Sequence, residues 1–233
     1  MNRILRSACL VLLSSLLISC AQTERARRVE PSGFLADYSI LKSTKGEVAQ
    51  LVYLNQDVDW PRYTKVMIEP ISIWRAPGSP LENAPDNEVR SLGEYFYQAL
   101  SERLAEEYEL VSAPSAGTLK IRAAITEAEK STVALDGITT VVPVGLGVSA
   151  AKKLATGTHA FVGKAAGELE IRSATTDELL AAVVSRRVGG KKIGAGKLSS
   201  WGDVKAAADT WAASIADRLA AFKRGDTAIQ FSE

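Results

Sequence analysis

Two rhythms of hydrophobic and polar positions alternate along this chain. Between 118 and 128, TLKIRAAITEA sends Leu119, Ile121, Ala123 and Ile125 inward while Lys120, Arg122 and Thr126 point out, the period of a strand with one buried face. The stretch 161–171 has the same period. Phe161, Gly163, Ala165, Gly167, Leu169 and Ile171 share one face, and its small residues predict a helix packed closely across it. Lys164, Glu168, Glu170 and Arg172 share the other face, which predicts a solvated, charge-balanced surface there. After a turn at ATTDE, LLAAVVSRRV returns as the hairpin partner. Upstream, AQLVYLN predicts a short strand and KVMIEPISIW a long one, in which Pro70 requires a bulge or an unpaired edge.

The second rhythm is helical. From Asp86, a plausible N-cap, through about Tyr108, Val89, Leu92, Phe96, Ala99, Leu100 and Leu104 fall on one side. A last helix over 203–222 carries Val204, Ala207, Trp211, Ile215, Leu219 and Phe222 as its apolar stripe, with Ser200 as the expected cap. The order β-β-α-β-β-β-α, with a variable segment between 130 and 160, predicts an α+β domain. Two main helices pack on one face of a largely antiparallel sheet, after a cleaved signal peptide.

The N-terminus has neither rhythm. Arg3 and Arg6 precede an apolar run over 8–18, the length of a signal-peptide core and too short to span a bilayer. The run ends in Leu17-Ile18-Ser19-Cys20, which resembles the bacterial lipobox: a branched aliphatic, a tolerant position, a small residue, then cysteine. The resemblance implies lipidation of the Cys20 sulfur, cleavage after Ser19 and acylation of the new amine. One acyl chain holds a protein only marginally, whereas several hold it stably. Ala21, rather than aspartate, follows Cys20. In enterobacterial lipoproteins an aspartate there signals inner-membrane retention, so the expected destination is the outer membrane, with the domain facing the periplasm. Residues 1–19 are thus expected to be a signal peptide, 20–32 a polar tether able to extend about 40 Å, and 33–233 a single domain.

Composition narrows the function classes. The 233 residues are 46% hydrophobic and 24% charged, enough apolar material for one core. Their 28 basic and 27 acidic residues give no basic footprint of the kind nucleic-acid binding requires. Losing Arg3 and Arg6 with the leader moves the net charge from +1 by two units, to one negative. Cys9 and Cys20 are the only cysteines, so the domain is expected to have neither a disulfide nor a thiolate metal site.

Several motifs invite chemistry and fall short of it. Gly145-Leu146-Gly147-Val148-Ser149-Ala150 matches a dinucleotide-binding loop, and Glu168 lies about twenty residues on, but Pro143 interrupts the supposed strand and no further βαβ units follow. GGKKIGAGKLSS fails as a phosphate loop because Lys191 stands where the first glycine belongs and Leu198 follows Lys197. With Arg186, Arg187 and Lys192 it reads as a basic, solvated loop. His159 is the single histidine; as a base it needs a nucleophile, and the segment around Ser149 lacks the closing glycine of a nucleophile elbow. Glu168 and Glu170 share a face as a glycosidic carboxylate pair could, among basic neighbours. Trp60, Trp74, Trp201 and Trp211 read as core packing. The sequence therefore predicts no catalytic residue, metal or cofactor.

SGFLADYSIL, LVYLNQDVDWPRYTKVMIEPISIW, LATGTHAFVGKAAGELEI, RRVGGK and SWGDVKAAADTWA occur in this order. Together they resemble a family of bacterial envelope lipoproteins catalogued as domain of unknown function three-three-one-three, over nearly all of the chain from Ser32 to the last helix. The resemblance implies a signal-anchored, periplasm-facing domain and supplies no activity or catalytic residue. The leading expectation is a non-enzymatic envelope protein, anchored to the membrane through Cys20, that binds a protein partner or the cell wall. The alternative is an accessory lipoprotein of an envelope export or lipid-transfer system that presents a groove to an apolar ligand. A continuous apolar pocket between helix face and sheet favours that version.

Overall fold

The computed structural model describes residues 31–46, 49–75, 78–79, 81–129, 164–188 and 201–232. Among these, the strands are β1 (Lys42–Ser43), β2 (Leu51–Leu54), β3 (Lys65–Ile68), β4 (Ser72–Ile73), β5 (Glu109–Leu110), β6 (Thr118–Ala128), β7 (Lys164–Ser173) and β8 (Leu179–Val188). The helices are α1 (Asp86–Leu104) and α2 (Gly202–Lys223), with a 3-10 turn at Trp60–Arg62. All eight strands join one sheet in the order β1-β2-β8-β7-β6-β3-β5, with β4 continuing the line of β3 along β6. The fold is α+β with a mostly antiparallel sheet, as the residue pattern predicts.

The antiparallel part comes from hairpin chemistry. β7 and β8 pair from Lys164↔Val188 to Arg172↔Leu179, and the turn between them places Asp177 at φ 58, a left-handed conformation that aspartate tolerates better than most residues. The parallel part comes from α1. It carries the chain from β4 to β5, and a helical crossover of this kind is what parallel neighbours require. β3 and β4 accordingly run parallel to β6, and β5 parallel to β3. The strand expected over KVMIEPISIW divides at Pro70. Ile68 pairs with Ile121 but Ser72 pairs with Ala124, so β3 and β4 carry one residue more than β6 across the break.

Both helices pack on one face and on each other. Val89, Leu92, Phe96, Leu100 and Leu104 of α1 join Trp211, Leu219 and Phe222 of α2 over Leu119, Ile121, Ile125, Leu169 and Ile171. The Phe96 and Trp211 rings meet at 5.7 Å with their planes inclined by 53°, Trp60 meets Phe222 at 4.7 Å, and the Trp201 indole N–H donates to Glu88 Oε2 at 2.6 Å. Helix α1 ends at Leu104, short of Tyr108, because the chain must turn into β5. Tyr108 instead enters the core and its hydroxyl donates to the Leu219 carbonyl at 2.9 Å; burial pushes its pKa up to about 12. Asp86 is the first helical residue of α1, with Pro85 in the cap position. Trp201 occupies the cap position of α2, and the expected cap Ser200 lies outside the described residues.

The second face of the sheet corrects the sequence-based expectation. Glu168 and Glu170 are 3% and 2% exposed. β7 lies in the middle of the sheet, and the segment after Ser32 folds over its far side, where Phe34 and Leu35 pack with Ala124, Ala182 and Val184. Trp74 also departs from the core role expected of it. It is 36% exposed, lies edge-on to Phe34 at 5.8 Å, and donates its indole N–H to the Ser32 carbonyl at 2.8 Å.

Candidate functional site

The site grows from a mismatch in side-chain size between α2 and the sheet. At Gly167 the helix comes close, since a Cβ there would stand 3.2 Å from the Trp211 ring. This is the close packing that the small residues of β7 predict. Toward the sheet edge the facing side chains are short: Ala181, Val183 and Ser185 on β8, Ser214 on α2. The interval remains a cavity of about 490 Å³. Its floor is Val52 and Leu54 of β2, Leu169 and Ile171 of β7, and Ala181 and Val183 of β8. Its roof is Trp211, Ile215, Leu219 and Phe222, four successive members of the α2 stripe.

The C-terminal segment makes the third wall. Helix α2 ends in a Schellman-type cap, with Gly225 N–H on Phe222 O, Asp226 N–H on Ala221 O and Gly225 at φ 85. The chain then turns back, and Ala228, Ile229 and Gln230 line the cavity beside Thr44, Lys45 and Gly46. Backbone bonds fasten the two segments: Lys45 N–H to Gln230 O at 3.0 Å and Ser232 N–H to Ser43 O at 2.8 Å. Arg218 Nη1 donates to Ala228 O at 2.9 Å, tying the helix to the same strap.

Charge is confined to the rim. Lys45 and Arg218 are exposed and line the opening. Glu168 also touches the wall, but its carboxylate lies on the other face, where Oε2 accepts the Tyr38 hydroxyl at 2.6 Å. That hydroxyl in turn accepts from the backbone N–H groups of Gly33 and Leu35, at 3.0 and 3.3 Å. Burial first, then the Glu168 hydrogen bond, raises the Tyr38 pKa above the usual tyrosine range. Glu170 Oε2 accepts from Arg122 Nη1 at 2.8 Å and Arg172 Nε at 3.0 Å. Asp177 extends the network by pairing with Lys120 and Arg172, and the Lys120 bond chiefly lowers its pKa. Both glutamates of the conceivable carboxylate pair are therefore buried and bonded to neighbours rather than opening onto a cleft.

Of the residues singled out from sequence, Trp211, Ile215, Leu219 and Phe222 come together at the cavity. Leu17, Ile18, Ser19 and Cys20 lie outside the described residues, as do the 145–150 motif, His159 and the basic residues Lys191, Lys192 and Lys197. Lys45, Arg218 and Ile229 were not legible as site residues, because hydrophobic periodicity assigns a face but does not measure the space left between two faces. Among the described residues, no three His, Cys, Asp or Glu side chains cluster as a metal site would need, and no helix is long and apolar enough to cross a membrane.

A family model described as "Protein of unknown function (DUF3313)" matches residues 30–215. The chain belongs to this family. The DUF3313 match includes the sheet and most of α2, and it ends before Arg218, Leu219, Phe222 and the strap. No curated protein matches the sequence. Among solved structures, the chain is similar to the PelC dodecamer from Paraburkholderia phytofirmans, at 12% identity over 66% of this chain and 86% of that one, with a TM-score of 0.35. It is also similar to protein XCC0632 from Xanthomonas campestris, of family DUF330, at 8% identity over 80% of this chain and 98% of that one, with a TM-score of 0.41. At these identities and TM-scores no property of those proteins transfers to this chain.

Proposed function

We propose that this chain is a non-enzymatic envelope lipoprotein, held to the outer membrane through acylated Cys20, whose periplasm-facing domain holds an apolar ligand between α2 and the sheet. The observation that carries this reading is the cavity of about 490 Å³ with aliphatic and aromatic walls. Its size falls within the range of about 300–1,000 Å³ in which small-molecule sites are found. A ligand chain placed there removes apolar surface from water on both partners, at roughly 25 cal/mol per Å². Of the two functions expected from sequence, this favours the accessory lipoprotein of an export or lipid-transfer system.

The test uses the protein in isolated envelopes with a diazirine-bearing hexadecanol as photoreactive probe. Label is expected on peptides containing Val183, Ile215 and Ile229, and Val183→Trp, which fills the cavity from β8, is expected to reduce that labelling at least about tenfold. An unchanged far-ultraviolet spectrum separates filling from unfolding. Label scattered over exposed helix surfaces, or unchanged in Val183→Trp, overturns the cavity reading.

The anchor has its own prediction. Cys20→Ala removes the thiol that lipidation needs, so radiolabelled palmitate incorporation is expected to fall to background, with mature-size protein no longer produced by cleavage before residue 20. Equal palmitate incorporation in wild type and variant overturns the assignment of Cys20.

A further inference from the structure

The charges around the cavity are not balanced. Among the described residues, Glu168 is the one acidic residue in the cavity lining. Glu168 points to the other face and binds Tyr38, Asp217 does not line the cavity, and Asp226 Oδ1 accepts the Ala228 N–H at 3.2 Å. The lining itself carries two exposed cations, Lys45 on the segment after β1 and Arg218 on α2, both beside the C-terminal strap. Among the described residues neither forms an ion pair with a carboxylate, whereas Arg122, Arg172, Arg186 and Lys120 all do. Arg218 uses Nη1 on the Ala228 carbonyl and has four further N–H groups, in a planar fork suited to a carboxylate or phosphate. An apolar interior under a cationic rim is the arrangement of a site for one end-charged molecule. In such a site the alkyl chain would lie among Leu169, Val183, Ile215 and Phe222, with the head at the water boundary.

We infer that the ligand is an anionic amphiphile, its alkyl chain in the cavity and its carboxylate or phosphate held between Lys45 and Arg218. This deepens the apolar-ligand reading and rests on it. The same chemistry is offered by a free fatty acid and by an anionic phospholipid. The rim also explains why the strap is tied where it is. The Arg218–Ala228 bond holds the guanidinium against the strap, and the backbone bond from Lys45 N–H to Gln230 O holds the segment that carries Lys45 against the same strap.

The experiment compares three photoreactive probes in isolated envelopes: diazirine-bearing palmitic acid, diazirine-bearing phosphatidylglycerol and the neutral diazirine-bearing hexadecanol. At least one anionic probe is expected to label the cavity peptides about tenfold more than the alcohol, the discrimination one charge-assisted contact confers. Excess labelling by palmitic acid identifies the free acid, and excess labelling by phosphatidylglycerol identifies the phospholipid. The double variant Lys45→Gln, Arg218→Gln is expected to bring anionic labelling down to that of the alcohol while alcohol labelling persists. Cavity labelling that is equal for all three probes, or anionic labelling unchanged in the double variant, overturns the head-group assignment and leaves the cavity reading standing. Absence of cavity labelling by every probe overturns both.

Discussion

Trp211→Ala is expected to lower the unfolding free energy by about 3–5 kcal/mol, as for other large aromatic truncations in well-packed interiors. Trp211 is buried against Phe96 at 5.7 Å, its indole N–H donates to Ser185 Oγ at 2.8 Å, and its ring lies over Gly167. Truncation removes the Phe96 contact between the two helices and the Gly167 contact between helix and sheet together. The reciprocal change, Gly167→Val, inserts carbon where even a Cβ would be 3.2 Å from the ring and 3.4 Å from the Ala124 carbonyl. Overpacking of this kind costs about 1–3 kcal/mol. If the two residues form one contact, the cost of Gly167→Val shrinks in the Trp211→Ala background, where the ring no longer obstructs it. Urea unfolding of wild type, both single variants and the double variant measures the coupling. Costs that simply add show that α2 does not seat on β7 through this pair.

The same pair shows how much of the fold the residue pattern carries. The alternation of small residues on β7 already calls for a close helix, and the α2 stripe supplies the ring that fills the space. The β7–β8 hairpin and both helical faces are legible for the same reason: each depends on neighbours within one or two turns or strands. The parallel pairing of β3, β4 and β5 is not local. It follows from where α1 returns the chain, which no period encodes. Glu168 and Glu170 misled because an alternating strand has one wet face only when nothing covers it. The covering segment lies 130 residues before Glu168, at Tyr38, and its sequence SGFLADYSIL has no long period to announce a docking role. The cavity was least legible of all. It depends on Ala181, Val183 and Ser214 being too short to fill a gap, and on a C-terminal strap whose position is set by Gly225 and by pairing with the segment after β1. DUF3313 membership, although carried by motifs readable in the sequence, names no ligand.

The burial of Glu168 makes a second large effect predictable, on the face of the sheet away from the cavity. Tyr38→Phe is expected to destabilise the protein by about 2–3 kcal/mol, because it strips a buried carboxylate of the Tyr38 hydroxyl donated to it. Loss of the hydroxyl also frees the Gly33 and Leu35 N–H groups, which loosens the segment that covers Phe34 and Leu35. Glu168→Gln should cost much less. Its amide oxygen can still accept from Tyr38, and no charge remains to be solvated. In the Glu168→Gln background the cost of Tyr38→Phe should therefore fall, and the difference isolates the charge-assisted part of the bond. Alkaline pH provides an independent readout. The Tyr38 pKa is raised in the folded state, so its stabilising contribution is complete below the ordinary tyrosine value near 10 and is lost as pH rises through that value toward the folded one. Wild type should lose stability above about pH 10, and Tyr38→Phe should lose less, with the remaining slope belonging to Tyr95 and Tyr108, whose pKa values are also raised. Unfolding curves collected between about pH 8 and 11 decide the matter. Parallel pH profiles for wild type and Tyr38→Phe mean that the phenol ionises as freely in the fold as outside it, and that Glu168 does not hold its proton.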